Sequence, residues 1–145
     1  MRISTKGRYA LRMLLDLAEH KDDGFIALHE IAKRQNISKQ YLEQIVTLLN
    51  AANLLRTNRG KQGGYMLVKH PSLYTVEQIL RVTEGSILPV PCLEDETNLC
   101  DRVGFCKTLP MWVGLTKVIT DYLESVTLQD MMEQYQENSA DHYMI

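Results

Sequence analysis

Residues 56 to 69 read Arg-Thr-Asn-Arg-Gly-Lys-Gln-Gly-Gly-Tyr-Met-Leu-Val-Lys, a basic, glycine-rich tip between two short runs patterned for β-strand. Strands predicted over Leu54 to Thr57 and Tyr65 to Lys69 leave Gly60-Lys61-Gln62-Gly63-Gly64 as the tip of a hairpin. Glycine at such a tip admits positive φ, and it lets the backbone come close to another surface because no Cβ intervenes. Arg59 and Lys61 set positive charge at that point of approach. The rest of the chain is patterned mainly for helix, so the fold must hang one small hairpin on a helical body.

The segments before the hairpin supply that body. Tyr9, Ala10, Met13, Leu14, Leu17 and Ala18 recur at steps of three and four, which predicts a helix over Thr5 to Glu19 that Asp22-Asp23-Gly24 ends. Phe25-Ile26-Ala27 fits a short strand, and Leu28, Ile31 and Ala32 predict a second helix over Leu28 to Gln35. Asn36-Ile37 then makes a tight break. Ser38 has the chemistry to cap a third helix through its hydroxyl, and Tyr41, Leu42, Ile45, Leu48 and Leu49 mark that helix's buried side. Two short helices around a tight turn equally fit a corner of an all-α core. Followed by a basic hairpin, they read as a helix-turn-helix with a wing, which can hold duplex DNA at two places.

Charge distribution agrees with that reading. The net charge is −2, yet residues 1 to 70 hold twelve Lys and Arg against six Asp and Glu, and residues 71 to 145 hold four against twelve. A half of charge +6 joined to a half of charge −8 fits a polyanion-binding module carrying a separate regulatory or partner segment, although uneven solvated charge alone can produce the same split. With 145 residues, 45% of them hydrophobic, the chain can bury one sizeable core. No stretch has the roughly 18 to 20 apolar residues of a membrane span, and Met1 to Lys6 carries no signal-peptide hydrophobic run, so the expected location is cytoplasmic with no membrane partner.

Four motifs now fall in order: Met1-Arg2-Ile3-Ser4-Thr5-Lys6-Gly7-Arg8-Tyr9-Ala10, Ile37-Ser38, Tyr41-Leu42-Glu43-Gln44, and Arg59-Gly60-x-x-Gly63-Gly64-Tyr65. Across nearly the whole chain they resemble the IscR/NsrR/CymR family of bacterial winged-helix transcription regulators, the Rrf-two family. The resemblance implies a mainly α fold with a small β-hairpin, a long C-terminal dimerisation helix, and homodimers on partly palindromic operators. In that arrangement the helix starting at Ser38 enters the major groove and the Arg59 wing the minor groove. The residues expected to meet DNA are Lys6, Ser38, Lys39, Gln40, Tyr41, Glu43, Gln44, Arg59, Gly60, Lys61, Gly63 and Gly64. Arg59 suits a narrow groove and phosphate alike, whereas a carboxylate at Glu43 is repelled by phosphate unless it accepts from a cytosine amino group. Arg8 and Arg12 on the first helix are further phosphate candidates.

Beyond the wing, Thr75 is placed to cap a short helix reaching Arg81, with Thr83-Glu84-Gly85 closing it. Ile87 to Pro91 reads as an extended linker. Three cysteines follow as C-x7-C-x5-C, at Cys92, Cys100 and Cys106, in a polar, turn-rich loop with Glu94, Asp95, Glu96 and Asp101. Structural zinc sites bring cysteines in close pairs, and none is present here. Iron-sulfur clusters accept wider spacing, and redox-active thiols need no set spacing at all.

The family's iron-sulfur members carry three cysteines in this loop, so the resemblance implies a two-iron or four-iron cluster on Cys92, Cys100 and Cys106. Two departures bear on its fourth ligand. Leu109 stands where some relatives place a histidine three residues after the last cysteine, and Gly7-Arg8-Tyr9 stands where another branch has an acidic residue. Glu94, Glu96, Asp101, His29 or a small molecule remain as candidates, and a cluster so held is easily lost in purification. Pro89 to Glu96 and the terminal Tyr143-Met144-Ile145 resemble instead the cysteine-metabolism repressor branch, which uses no cluster and responds to a partner enzyme of cysteine synthesis.

From Met111, the residues Trp112, Leu115, Val118, Ile119, Tyr122, Leu123 and Val126 predict a helix of about four turns with a broad apolar stripe. Resemblance assigns that stripe to the dimer interface. Thr127 is expected to cap a short helix through Glu133, followed by a loosely held tail from Asn138 to Ile145. The expected organisation is a winged-helix domain over 1–85, a regulatory loop over 86–108 and a dimerisation segment over 109–145. The chain has no phosphate-binding glycine loop, no HExxH and no recognisable nucleophile setting, and its four histidines are scattered, which argues against an enzyme. A winged helix that binds protein instead of DNA remains the other reading.

Overall fold

A computed structural model describes the backbone from Met1 to Tyr143 and the side chains as far as Ala140. Helix α1 (Thr5–Glu19) turns Ala10, Met13, Leu14, Leu17 and Ala18 into the core, following the spacing of those residues. Helix α2 (Leu28–Gln35) ends on Asn36 in the left-handed conformation (φ 54°), a state that asparagine tolerates better than most residues. Helix α3 (Lys39–Ala51) starts at Ser38, whose Oγ accepts from the Tyr41 amide at 3.1 Å. That capping bond restores one of the backbone partners a helix start lacks, so the turn between α2 and α3 is fixed at both ends.

The wing is an antiparallel pair, β1 (Leu55–Asn58) with β2 (Gly64–Leu67), in register from Leu55 opposite Leu67 to Asn58 opposite Gly64. Both strands differ from expectation by one or two residues, and at the ends away from the tip the cause is Tyr74. Its fully buried ring sends the hydroxyl to the strand ends, where it donates to the Leu54 carbonyl at 2.8 Å and accepts from the Val68 and Lys69 amides at 2.9 and 3.4 Å. Those groups are therefore satisfied outside the ladder. The expected strand at Phe25-Ile26-Ala27 reduces to a single bridge, in which Ile26 and Tyr65 exchange hydrogen bonds of 2.9 and 2.8 Å.

Helix α4 (Val76–Glu84) begins at Thr75, whose hydroxyl accepts from the Gln78 amide at 3.1 Å, and ends at Gly85 with φ 78°. Ile87 is buried against Val76 and Leu80, so the linker is anchored at its start. The cysteine loop carries a 3-10 turn at Pro91–Leu93 and otherwise consists of turns and bends. Helix α5 runs from Leu109 to Ser125, starting two residues before Met111 because Pro110 is tolerated in a first turn.

Helix α6 (Leu128–Tyr143) is much longer than a short helix ending at Glu133. Thr127 and Asp130 cap each other, with Asp130 N to Thr127 Oγ1 at 3.1 Å and Thr127 N to Asp130 Oδ2 at 2.9 Å, and no glycine or proline follows to stop the helix. Asn138 to Tyr143 are therefore helical and not a loose tail; Met144 and Ile145 lie outside the described residues. Leu128 is fully buried in the same core as α1 to α3, and its amide donates to the Tyr74 carbonyl at 3.0 Å. Among the described residues no helix is long and apolar enough to cross a membrane.

Candidate nucleic-acid interface

Two clefts flank the outer face of α3. The first lies between α3 and the wing and is lined by Glu43, Thr47, Asn50, Thr57, Asn58 and Arg59. The second runs beneath the wing tip, with His29, Lys39, Glu43, Gly60 and Lys61 among its walls. Lys39, Gln40, Glu43 and Gln44 are exposed on the first two turns of α3, and Arg59, Gly60 and Lys61 are exposed at the tip. Glu43 borders both clefts and, among the described residues, makes no ion pair. His29, a candidate metal ligand by sequence, instead faces the second cleft beside Lys39 and Lys61.

The glycines of the tip do different jobs. Gly60 holds φ 116°, a backbone conformation costly for any residue with a Cβ. A Cβ on Gly63 would collide with the Asn58 carbonyl and come within 2.9 Å of the Gly60 oxygen. Gly64 is buried, and its Cβ would strike the Ile26 carbonyl, so this position lets the tip end of β2 lie against the segment leading into α2. Gly64 thereby shapes the wing from within, and it also borders both clefts. Ser38 and Tyr41 also carry structural duties: the serine caps α3, and Tyr41 packs edge-on against Tyr9 with ring centroids 5.5 Å apart.

Beneath this surface lies a polar network that the sequence did not announce. Asp16 is 1% exposed, and its carboxylate accepts from Arg34 Nε at 2.9 Å, Arg34 Nη2 at 2.6 Å and Gln35 Nε2 at 3.0 Å. Burial pushes its pKa up. Hydrogen bonds from Arg34 and Gln35, with the charges of Arg34 and His20, outweigh that effect and hold the carboxyl below the ordinary aspartate value. Arg12 donates to the side chain and the backbone carbonyl of Gln35 and stacks over the Tyr9 ring at 5.1 Å. Its guanidinium is thus committed inside the domain, whereas Arg8 is exposed and its guanidinium bonds only to Thr5 among the described residues. Asp16 lies three residues after Met13 and one before Leu17, on the buried stripe of α1; an acid in that place must find a partner.

The cysteines do not converge. Cys100 is exposed, Cys92 and Cys106 are half-buried, and all three are free. No three Cys, His, Asp or Glu side chains gather closely enough to hold one metal ion among the described residues. Cys106 has a character of its own. The Thr108 hydroxyl lies 3.4 Å from its Sγ, and that contact, with the Thr108 and Leu109 backbone and the charge of Arg102, draws the thiol's pKa below the ordinary cysteine value.

Helix α5 has no buried residue in the single chain. Leu115, Val118 and Tyr122 are exposed, at 39%, 65% and 65%, and Trp112, Ile119 and Leu123 are half-buried.

The order of α1, helix-turn-helix, wing and long uncovered helix is matched by known proteins over almost its full length. The model of the Rrf2 family, described as an iron-dependent transcriptional regulator, matches residues 3–134. The chain belongs to the Rrf2 family. It is 38% identical over 144 residues to the HTH-type transcriptional regulator CymR of Bacillus subtilis, covering 99% of this chain and 98% of that one. The solved structure of that CymR, named the global cysteine regulator of its organism, has a TM-score of 0.76 at 37% identity, covering 92% of this chain and 98% of that chain. T. potens IscR follows with a TM-score of 0.74 at 36% identity, covering 95% and 90%. The chain is thus a winged-helix transcriptional regulator of the Rrf2 family, similar to proteins named as regulators and not as enzymes.

Proposed function

We propose that two copies of the chain hold a partly palindromic DNA operator, each with α3 in the major groove and its wing at the adjacent minor groove. The observation that carries this reading is the shared bordering of both clefts by α3 and by the basic tip, Glu43 facing Arg59 across the first and Lys39 and Glu43 facing Lys61 across the second, with Gln40 and Gln44 exposed on the same two turns of α3. In this reading Gln40 and Gln44 reach base edges, Glu43 selects against sites that offer it no amino donor, and Lys6, Arg8, Arg59 and Lys61 meet phosphate or the minor groove. Residues 1–85 act as the DNA-binding domain, residues 86–108 as the control element, and α5 pairs with its copy through Trp112, Leu115, Val118, Ile119, Tyr122 and Leu123.

Control through the thiols of the 92–106 loop, without a resident cluster, is the reading favoured by likeness to a protein named a cysteine regulator. A cluster on the same three cysteines is the second reading, favoured by the family's description as iron-dependent. Anaerobic reconstitution with iron and sulfide separates them. A colourless protein that still binds DNA in a thiol-dependent manner supports the first, and a brown protein whose colour is lost in Cys100→Ala supports the second.

DNA binding itself is tested by a gel shift across salt concentration. Affinity for duplex should fall with a slope of roughly 0.9 per phosphate contacted. A protein with negligible affinity for duplex at any salt would be a protein-binding winged helix instead.

A further inference from the structure

The start of α1 is held by a residue from the far end of the winged-helix domain. Glu84, the last residue of α4, turns one carboxylate oxygen onto three donors: the Ser4 amide at 3.1 Å, the Ser4 hydroxyl at 2.6 Å and the Gly7 amide at 3.1 Å. A carboxylate there satisfies orphan amides of the first turn and sits favourably against the positive end of the helix dipole. Ser4 makes no side-chain cap of its own on α1, so Glu84 does the capping. Gly7 is the residue that makes room, because a Cβ on it would collide with Glu84 Oε1 and approach Leu80 Cδ2 to 3.1 Å.

What lies on either side of the contact gives it meaning. On the α1 side, Arg2, Ser4, Thr5 and Arg8 line one surface hollow, and Lys6 lies between them in sequence. On the α4 side, Glu84 is followed at once by Gly85 (φ 78°) and then by Ile87, which is buried against Val76 and Leu80 with Ile3 and Leu123 packed beside them. The segment leading to Cys92, the start of α1 and helix α5 therefore meet around one carboxylate and one small apolar cluster.

We propose that Glu84 is a positioning residue for DNA binding: its clasp on Ser4 and Gly7 fixes the start of α1, and so the phosphate contact of Lys6, to the strap that leads to the cysteine loop. The proposal rests on the reading of α1 as a phosphate-contacting element. A displacement of the strap would open the clasp and loosen that contact.

The sign of the effect separates positioning from simple charge. A carboxylate acting only by its charge repels the DNA backbone, so its removal would tighten binding. Loss of positioning weakens it. The probe is a duplex selected by the parent protein from a random-sequence pool, with variants first checked as folded and dimeric. Glu84→Ala should weaken binding and lower the salt slope by about one phosphate per protomer. Gly7→Ala keeps the charge and is compatible with a helix, yet it should do the same, because the new methyl group evicts the carboxylate. Glu84→Gln keeps an acceptor oxygen and should bind nearly as the parent does. Lys6→Ala should weaken binding to a similar extent, and combining it with Glu84→Ala should add little, whereas Arg59→Ala with Glu84→Ala should be additive.

The proposal is overturned if Glu84→Ala or Gly7→Ala binds as tightly as the parent or more so while Lys6→Ala is weakened, or if the Lys6 and Glu84 effects simply add. If Lys6→Ala and Arg59→Ala both bind like the parent, the DNA-binding reading falls and the proposal falls with it.

Discussion

Replacing Asp16 by alanine should cost about 2–3 kcal/mol of folding stability. The carboxylate is 1% exposed and receives three hydrogen bonds, two of them from the Arg34 guanidinium, and together they pin α2 onto α1. Removing one partner of a fully buried ion pair costs roughly 3–5 kcal/mol. Here the Arg34 side chain is 35% exposed and can turn to water, so the lower figure applies. For a domain of this size the loss corresponds to a fall of roughly 5–10 °C in Tm. Thermal unfolding followed by circular dichroism, at one fixed protomer concentration, reads it directly.

The pH dependence has a definite sign. The folded pKa lies below the ordinary value, so Asp16 contributes stability that is present above the unfolded carboxyl's pKa, about 3.9, and is lost as pH falls through the folded value. The gap between parent and variant should be full at neutral pH and close on strong acidification. A neutral-pH difference under about 1 kcal/mol, or a gap that widens in acid, would refute the assignment of Asp16 as a charged clamp.

Other consequences follow from single contacts. Gly64→Ala drives a methyl group into the Ile26 backbone, and should lower stability by about 1–3 kcal/mol and weaken DNA binding while leaving the dimer intact on size-exclusion chromatography. Tyr122→Asp puts a charge on the exposed stripe of α5 and should break the proposed α5 pairing, read as a monomer by light scattering, with operator affinity lost in parallel. Thr108→Val removes the hydroxyl beside Cys106, so the pH profile of Cys106 alkylation, read by peptide mass spectrometry, should move to higher pH.

What the sequence disclosed is tied to periodicity and capping chemistry. Helices α1 and α2 fall where Tyr9 to Ala18 and Leu28 to Ala32 predict them, and the Ser38 cap is the bond its position implied. These are local signals, and tertiary packing reinforces them. The misses have non-local causes. The root ends of the wing strands are decided by the Tyr74 hydroxyl, which comes from beyond the hairpin. Helix α6 outruns its expected end because residues after Glu133 carry no stop signal, so position near the terminus does not decide its length. Arg12 was a phosphate candidate, but its partner Gln35 lies on α2, and the partners of Asp16 likewise come from α2.

For the candidate site, the exposed residues of α3 and the tip were legible because solvent-facing positions follow from helix phase and turn chemistry. The separation of the three thiols was not, since a turn-rich loop has no period from which to infer where its side chains converge. The clasp of Glu84 on α1 was equally hidden. It joins residues nearly eighty positions apart, and the only local sign was a glycine in the first turn of a helix.

The central claim is that α3 and the wing tip grip DNA together, and one measurement reaches it directly. Fluorescence anisotropy of a labelled, selected duplex would be titrated with the parent, Arg59→Ala and Gln40→Ala across a salt series. Arg59→Ala should weaken binding to all sequences and reduce the salt slope by about one per protomer, and Gln40→Ala should lose about 1–3 kcal/mol of discrimination between the selected and a scrambled duplex with little change in slope. If both variants, folded and dimeric, match the parent in affinity, slope and discrimination, the interface lies elsewhere on the molecule.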